Sequence, residues 1–325
     1  MADGKEFPEA AVTQVLAVVG PTASGKTDLA AELAAALDSE VISADSMQVY
    51  RGMAIGTAQP PPEVLARAPH HFVGFVEPGE PFSAGAFREL ALEKVRELNA
   101  RGRIAVVAGG SGLYVRALID GLFEGPGRDP GIRQRLHQEA EEWGGQRLFE
   151  RLREVDAAYA DAILPGDLRR IVRGLEVHEL TGTPLSEWHA RHQQQAPVLN
   201  TLQIGIAMPR PLLYGRINRR AHRMLEAGFL HEAHLLLRAG HEGHLERIRS
   251  LGYREAAAYL GGRMTHHGMV ETMKQNTRRF AKRQLSWFRR DERIHWLETG
   301  DPPTIPALRD QALRLLETGD QVDAV

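Results

Sequence analysis

The sequence predicts an α/β protein: a parallel sheet core, interrupted by an inserted helical domain and followed by a helical C-terminal part. Three observations predict it. The apolar run Val15–Val19 ends in a glycine-rich turn that opens a helix. Further short apolar runs, at 41–42, 104–108 and 202–208, read as strands separated by helical stretches. Between residues 128 and 197 the texture changes to charged, amphipathic helical material with few β-branched residues.

Val15-Leu-Ala-Val-Val19 reads as a short buried strand. Asp28 to Leu37 is rich in Ala and Leu and free of Gly and Pro, which favours helix. Between them stands Gly20-Pro-Thr-Ala-Ser-Gly-Lys-Thr27, which fits the phosphate-binding pattern G-x-x-x-x-G-K-[ST] at every position. With strand before and helix after, the core is P-loop NTPase-like. Gly20 and Gly25 let the backbone approach an anion. The N–H groups of Thr22, Ala23, Ser24 and the helix N-terminus point partial positive charge at it. Lys26 adds a full charge, and the Thr27 hydroxyl can hold Mg²⁺. The structural alternative, a glycine turn that binds nothing, does not explain the flanking elements. The pattern says that a diphosphate or triphosphate is held, and leaves open what is done with it.

Val41 and Ile42 form the second strand, with Asp45 just past its end. Ligands of open α/β sheets bind outside the carboxyl ends of the strands, so Asp45 is expected to face the same crevice as Lys26. A carboxylate there serves as a Mg²⁺ partner or a general base. The alternative is a turn-capping Asp-Ser pair. A Pro-rich loop covers 56–69, and His70–Val76 reads as a third strand. Its two histidines point to opposite faces, which argues against a zinc site. Ser83 caps a helix that runs to Ala100. Ile104–Ala108 is a buried strand, and Gly109, Gly110 and Gly112 turn the chain into a helix near Leu113. Ser111 is its N-cap, or turns its hydroxyl to the site, or both. No acid ends this strand, unlike that of a motor ATPase.

The expected division is a core of 1–127 with 198–325 and an inserted helical domain at 128–197. Ile132–Gly182 reads as continuous helical material, and from Arg210 the chain reads as helical to about Gly300, broken near Arg249–Arg254. Thr272–Arg290 is a basic helix carrying Phe280, Trp287 and Phe288. Core packing is the favoured reading of these aromatics, and base stacking the sharper one.

A hydrophobic content of 43% in 325 residues supports a sizeable core, and the absence of cysteine excludes disulfides and thiolate chemistry. No apolar run approaches ~18 residues, and the N-terminus lacks a signal-peptide h-region. A cytoplasmic, monomeric protein is expected. The formal net charge is −2, yet Lys274–Arg293 holds eight basic residues against two acidic ones, and Arg210–Arg223 holds five Arg and no acid. Patches rather than totals form the footprint of a polyanion. Solvated helix faces are the plain alternative.

Several stretches together resemble the bacterial tRNA dimethylallyltransferase, or isopentenyltransferase, family. They are the phosphate loop, Asp-Ser-Met-Gln-Val-Tyr (45–50), Ile-Gly-Thr-Ala (55–58), Pro-His-His (69–71) and Gly-Gly-Ser-Gly-Leu-Tyr (109–114). Further along come Arg-Gly-Leu-Glu-Val (173–177), Thr-Gly-Thr-Pro-Leu-Ser (181–186), Leu-Gly-Tyr-Arg-Glu (251–255) and Thr-Arg-Arg-Phe-Ala-Lys-Arg-Gln-Leu-Ser-Trp-Phe (277–288). The likeness spans about Val15 to Leu297. Ser111 and Ser286 stand where the family commonly has Thr, and both keep the hydroxyl.

The resemblance implies transfer of a dimethylallyl group from dimethylallyl diphosphate to the exocyclic amine of the adenine 3′ of the tRNA anticodon. It places the leaving diphosphate on the phosphate loop and on Arg216, with Mg²⁺ on Thr27. It assigns Asp45 as base with Ser111 orienting the amine, and the stretch Ser46, Met47 and Gln48 to the adenine. It implies tRNA contacts, in the anticodon stem-loop, from Arg169, Arg170, Ile171, Val172 and Arg173, from Arg249, Ser250, Leu251, Gly252, Tyr253 and Arg254, and from Lys282 and Arg283. A small-molecule kinase, a prenyltransferase acting on free AMP and a non-enzymatic RNA-binding protein are the competing readings. The basic C-terminal helix argues against the first two, and Asp45 beside a full phosphate loop against the third.

Overall fold

The computed structural model describes residues 13–123, 125–194, 197–247 and 252–318. Six parallel strands form one sheet: β1 (Val15–Val19), β2 (Val41–Ser43), β3 (His70–His71), β4 (Ala105–Gly109), β5 (Thr201–Ala207) and β6 (Ile294–Glu298), in the order β3-β2-β4-β1-β5-β6. β1 is central, with Val19 level with Gly109 of β4 and Gly205 of β5. Its side chains alternate as the pleat requires. Val15, Ala17 and Val19 pack with Phe87, Val95 and Leu118 from helices Ala84–Ala100 and Gly112–Ile119. Leu16 and Val18 pack on the other face with Leu29, Leu33 and Leu308 from helices Lys26–Ala36 and Ile305–Thr318. Both faces are covered, which is why the strands read as continuous apolar runs.

The helix at Ala84 starts where its cap does, with the Ser83 hydroxyl accepting from the Ala86 N–H at 3.1 Å. Two expectations fail. The third strand stops after two residues because Phe72 (φ 64°) and Gly74 (φ 59°) take left-handed conformations, leaving a single bridge from Tyr50 to Val76. The C-terminal part is not helical to Gly300, because Ile294–Glu298 becomes the edge strand β6 beside β5. Pairing across some 90 residues of chain, not local pattern, decides that segment.

The chain divides into two compact units, one made of residues up to Ile119 with those from Val198, the other Asp120–Pro197. The second thus starts eight residues before the boundary expected at 128. Its helices are Pro130–Trp143, Gly145–Val155, Ala157–Asp161, Leu168–Thr181 and Leu185–Gln193. The helical material expected from Ile132 to Gly182 is divided into separate helices by caps: Asp156 accepts from the Tyr159 N–H at 3.0 Å and Asp167 from the Arg170 N–H at 3.3 Å. Leu136, Leu148, Leu152, Ile171, Val172 and Leu175 form its own core.

Candidate active site

The phosphate loop leaves the carboxyl end of β1 and enters helix Lys26–Ala36. Gly25 takes φ 101°, a value only glycine adopts without strain, and starts the helix. Asp45 and Ser46 follow β2, and Ser111 follows β4, so three strand ends meet. Thr22, Lys26, Thr27, Asp45, Ser46, Met47 and Gln48 line a cavity of about 280 Å³, whose wall is completed by Ile217, Arg220, Met224, Gly252, Met273, Thr277, Phe280 and Arg283. Lys26 and Asp45 therefore do face one space.

Lys26 Nζ donates to the Pro21 carbonyl at 3.3 Å. Burial pushes its pKa down to about 8, with Asp45 acting in the opposite sense and Arg220 in the same one. Asp45 Oδ1 accepts from the Met47 N–H at 2.9 Å. The Ser111 hydroxyl does not cap its own helix. It accepts from the Ser46 N–H at 2.9 Å and donates to Ser46 Oγ at 3.1 Å, one residue behind the cavity wall. Both ends of the Gln48 amide are engaged, accepting from Ser43 Oγ at 3.0 Å and donating to the Ala58 carbonyl at 2.9 Å. Ser24 is wholly buried, and its N–H goes to the Pro21 carbonyl at 3.3 Å, so neither group faces the cleft.

Arg216 braces the loop from outside. Its Nε donates to the Ala23 carbonyl at 2.7 Å, and its guanidinium pairs with Asp301 at 3.2 Å. One helical turn further, Arg220 lines both the cavity and an adjoining groove of about 700 Å³, together with Lys26 and Thr27. Among the described residues it has no hydrogen bond or ion pair. Burial lowers its pKa, with Asp45 opposing and Arg223 and Arg216 adding. Arg216, expected from the sequence, lines the adjoining groove with Lys26 and Thr27, and Arg220 lines it too but was not expected. The four-residue spacing of the two arginines, which shares a helix face, was the available signal.

The expected RNA-facing stretches are only partly exposed. Ile171 and Val172 are buried in the insert's core, so their side chains are corrected from RNA contacts to packing. Arg173 is held by Glu176 at 2.7 Å and by the Pro126 carbonyl at 2.9 Å, while Arg169 and Arg170 are exposed. Tyr253 is likewise buried, its hydroxyl donating to Glu232 at 2.6 Å. Gly252 lines the cavity, Arg254 is exposed, and Arg249, Ser250 and Leu251 lie outside the described residues. On helix His266–Phe288, Lys282 and Arg283 are exposed, as are Arg289 and Arg290 just past its end. The core-packing reading of its aromatics holds for Phe288, at 3% exposure, and fails for Trp287, at 38%. Phe280 faces the cavity.

A parallel sheet whose strand ends bring a phosphate loop, a carboxylate and an apolar wall to one cavity defines a phosphate-loop enzyme. The IPP transferase family model matches residues 48–291. The chain is 46% identical over 288 residues to tRNA dimethylallyltransferase 1 of Pelobacter propionicus, covering 89% of this chain and 93% of that one. It is 45% identical to the tRNA dimethylallyltransferase of Geobacter sulfurreducens, covering 88% and 92%. The full-length tRNA isopentenylpyrophosphate transferase of Bacillus halodurans superposes with TM-score 0.70 at 37% identity over 97% of this chain and 99% of that one. A eukaryotic dimethylallyltransferase acting on tRNA shares the fold, with TM-score 0.78 at 24% identity, over 95% and 81%. The chain belongs to the IPP transferase family.

Proposed function

We propose that this chain transfers a dimethylallyl group from dimethylallyl diphosphate to the exocyclic amine of the adenine 3′ of a tRNA anticodon. The observation that carries the reading is the composition of one cavity. Lys26, Thr27 and Arg220 offer charge and hydroxyl to a diphosphate, Met224, Met273 and Phe280 offer an apolar wall to an allyl chain, and Asp45 offers a base in the same space. The amine nitrogen attacks the allylic carbon, the C–O bond to the diphosphate breaks, and Asp45 takes the proton that the nitrogen loses. An exocyclic adenine amine is a poor nucleophile, which is why a positioned base is needed. Lys26 and Arg220 stabilise the negative charge that grows on the leaving diphosphate.

The Thr27 hydroxyl, a hard oxygen donor on the cavity wall, would hold a Mg²⁺ ion, which would neutralise leaving-group charge. The adenine must leave its stack to enter. Ser46 and Met47 lie beside the base to meet it. Exposed Lys282, Arg283 and Arg289 support binding of the tRNA backbone.

The test has two parts. Mass analysis of tRNA adenosines from cells with and without this protein should show the dimethylallyl adduct only when it is present. Steady-state kinetics of Asp45→Asn should show kcat lower by ~10²–10⁴ with KM little changed. Recovery of activity by added Mg²⁺ would instead make Asp45 a metal ligand, and a wild-type kcat would remove it from the chemistry.

A further inference from the structure

Gln284 sits on helix His266–Phe288, far in sequence from every loop of the site, and is 5% exposed. Its Oε1 accepts from the Thr22 N–H of the phosphate loop at 2.8 Å, and its Nε2 donates to the Gly110 carbonyl at 3.0 Å. Gly110 is followed by Ser111, whose hydroxyl is bonded to Ser46, the neighbour of Asp45. One buried amide therefore closes a continuous line from the loop after β1, through the loop after β4, to the loop after β2. The fit is tight: a Cβ on Gly110 would lie 2.1 Å from Gln284 Nε2. One turn on, a Cβ on Gly112 would lie 2.1 Å from Trp287 Nε1. These contacts explain the glycines at 110 and 112.

We propose that Gln284 is a positioning residue for the transfer. It holds the phosphate loop and the Ser111 loop in one register, so that the leaving diphosphate and Asp45 keep a fixed relation. A primary amide suits this task because it donates and accepts from one rigid plane, whereas an ionised carboxylate only accepts and a thioether barely does either. Without it the Thr22 N–H and the buried Gly110 carbonyl lose their partner and the loops are free to shift independently. The inference rests on the proposed transfer reaction.

The experiment compares wild type, Gln284→Met and Gln284→Glu in two readouts. In steady-state transfer, kcat of Gln284→Met should fall roughly 10–100-fold, the range that a small misplacement of reacting groups costs, with KM for tRNA little changed. Gln284→Glu, which keeps the acceptor toward Thr22, should lie between. In hydrogen exchange, inorganic diphosphate should slow exchange at 22–27 and at 109–114 in wild type, but only at 22–27 in Gln284→Met. A wild-type kcat in Gln284→Met, or no slowing at 109–114 in wild type, overturns the proposal. Should Gln284→Met fail to fold, Gln284→Glu decides by the same criteria. Should wild type not prenylate tRNA, the reaction reading falls while the exchange result still decides the role of Gln284.

Discussion

Two arginine clusters of this chain have opposite fates. In the insert, Glu176 is fully buried and saturated: Arg133 grips it with two bonds at 2.7 and 2.8 Å, Arg173 adds one at 2.7 Å and the Asp129 N–H another at 2.8 Å. Burial pushes the Glu176 pKa up, but the bonds from Arg133 and Arg173 outweigh it and hold the value at about 2. In the core, Arg220 is half-buried with no anion bonded to it among the described residues, and burial pulls its pKa down while Asp45 opposes the shift. The difference lies in the partner, not in the residue type. A cation whose charge is already matched builds structure. A cation partly withdrawn from water and without a bonded anion favours an incoming one, because part of its desolvation cost was met on folding.

The largest expected effect breaks the first cluster. Glu176→Ala leaves two cations without their anion, and should destabilise the insert by about 3–5 kcal/mol. Chemical denaturation followed by fluorescence of the insert's tryptophans, Trp143 and Trp188, measures it. The pH dependence has a defined sign. A depressed carboxylate pKa contributes stability above the ordinary value of ~4.3, and that stability is lost as pH falls through about 2. An unchanged midpoint in Glu176→Ala would place the cluster among decorative ion pairs.

The next effect sharpens the second cluster. Arg220→Ala should weaken inorganic diphosphate binding roughly 10- to 100-fold, the range for removing a bond to a charged group. Arg133→Ala should leave that affinity unchanged while destabilising the insert. Calorimetric titration of both variants with diphosphate makes the comparison, and equal losses would erase it.

Lys26 gives a smaller, continuous effect. Burial has lowered its pKa to about 8, so the free enzyme loses this charge just above neutrality. The protonated form is the one that attracts the diphosphate. Hence kcat/KM for the allylic donor should fall by about tenfold per pH unit above that value. Lys26→Arg, which stays charged, should remove the fall from the accessible range. The smallest effect concerns the exposed basic residues at 282–289. Replacing Lys282, Arg283 or Arg289 by Ala should lower the salt slope of tRNA binding by about 0.7–0.9 for each phosphate that the side chain neutralises. If none of the three changes the slope, this helix does not touch the RNA.

The parts of the site legible in the sequence are those whose information is local. Eight consecutive residues specify the phosphate loop, and a strand end places Asp45. Gln284 was hidden because its bond with Thr22 spans 262 positions. The strand β6 was hidden because five residues of mixed character become a strand only beside β5. Ile171, Val172 and Tyr253 show a different loss. A family stretch names neighbours in sequence, whereas a helix sends neighbours to different faces, and these three turn inward. Their spacing held the correction: Ile171 and Leu175, four apart, both lie in the insert's core.

The central place of β1 has a consequence for how the protein is made. Its neighbours are β4, which begins at residue 105, and β5, which begins at residue 201. The insert, Asp120–Pro197, is continuous and leaves the ribosome whole before β5 has emerged. At roughly 5–20 residues per second, several seconds separate the synthesis of β4 from that of β5, the two neighbours of β1. The phosphate loop's brace Arg216, then Gln284, then the edge strand β6 arrive in that order. The first motif to be translated thus waits for residue 284 before its clamp can form, and a nascent chain stalled before that residue carries the phosphate-loop sequence without it.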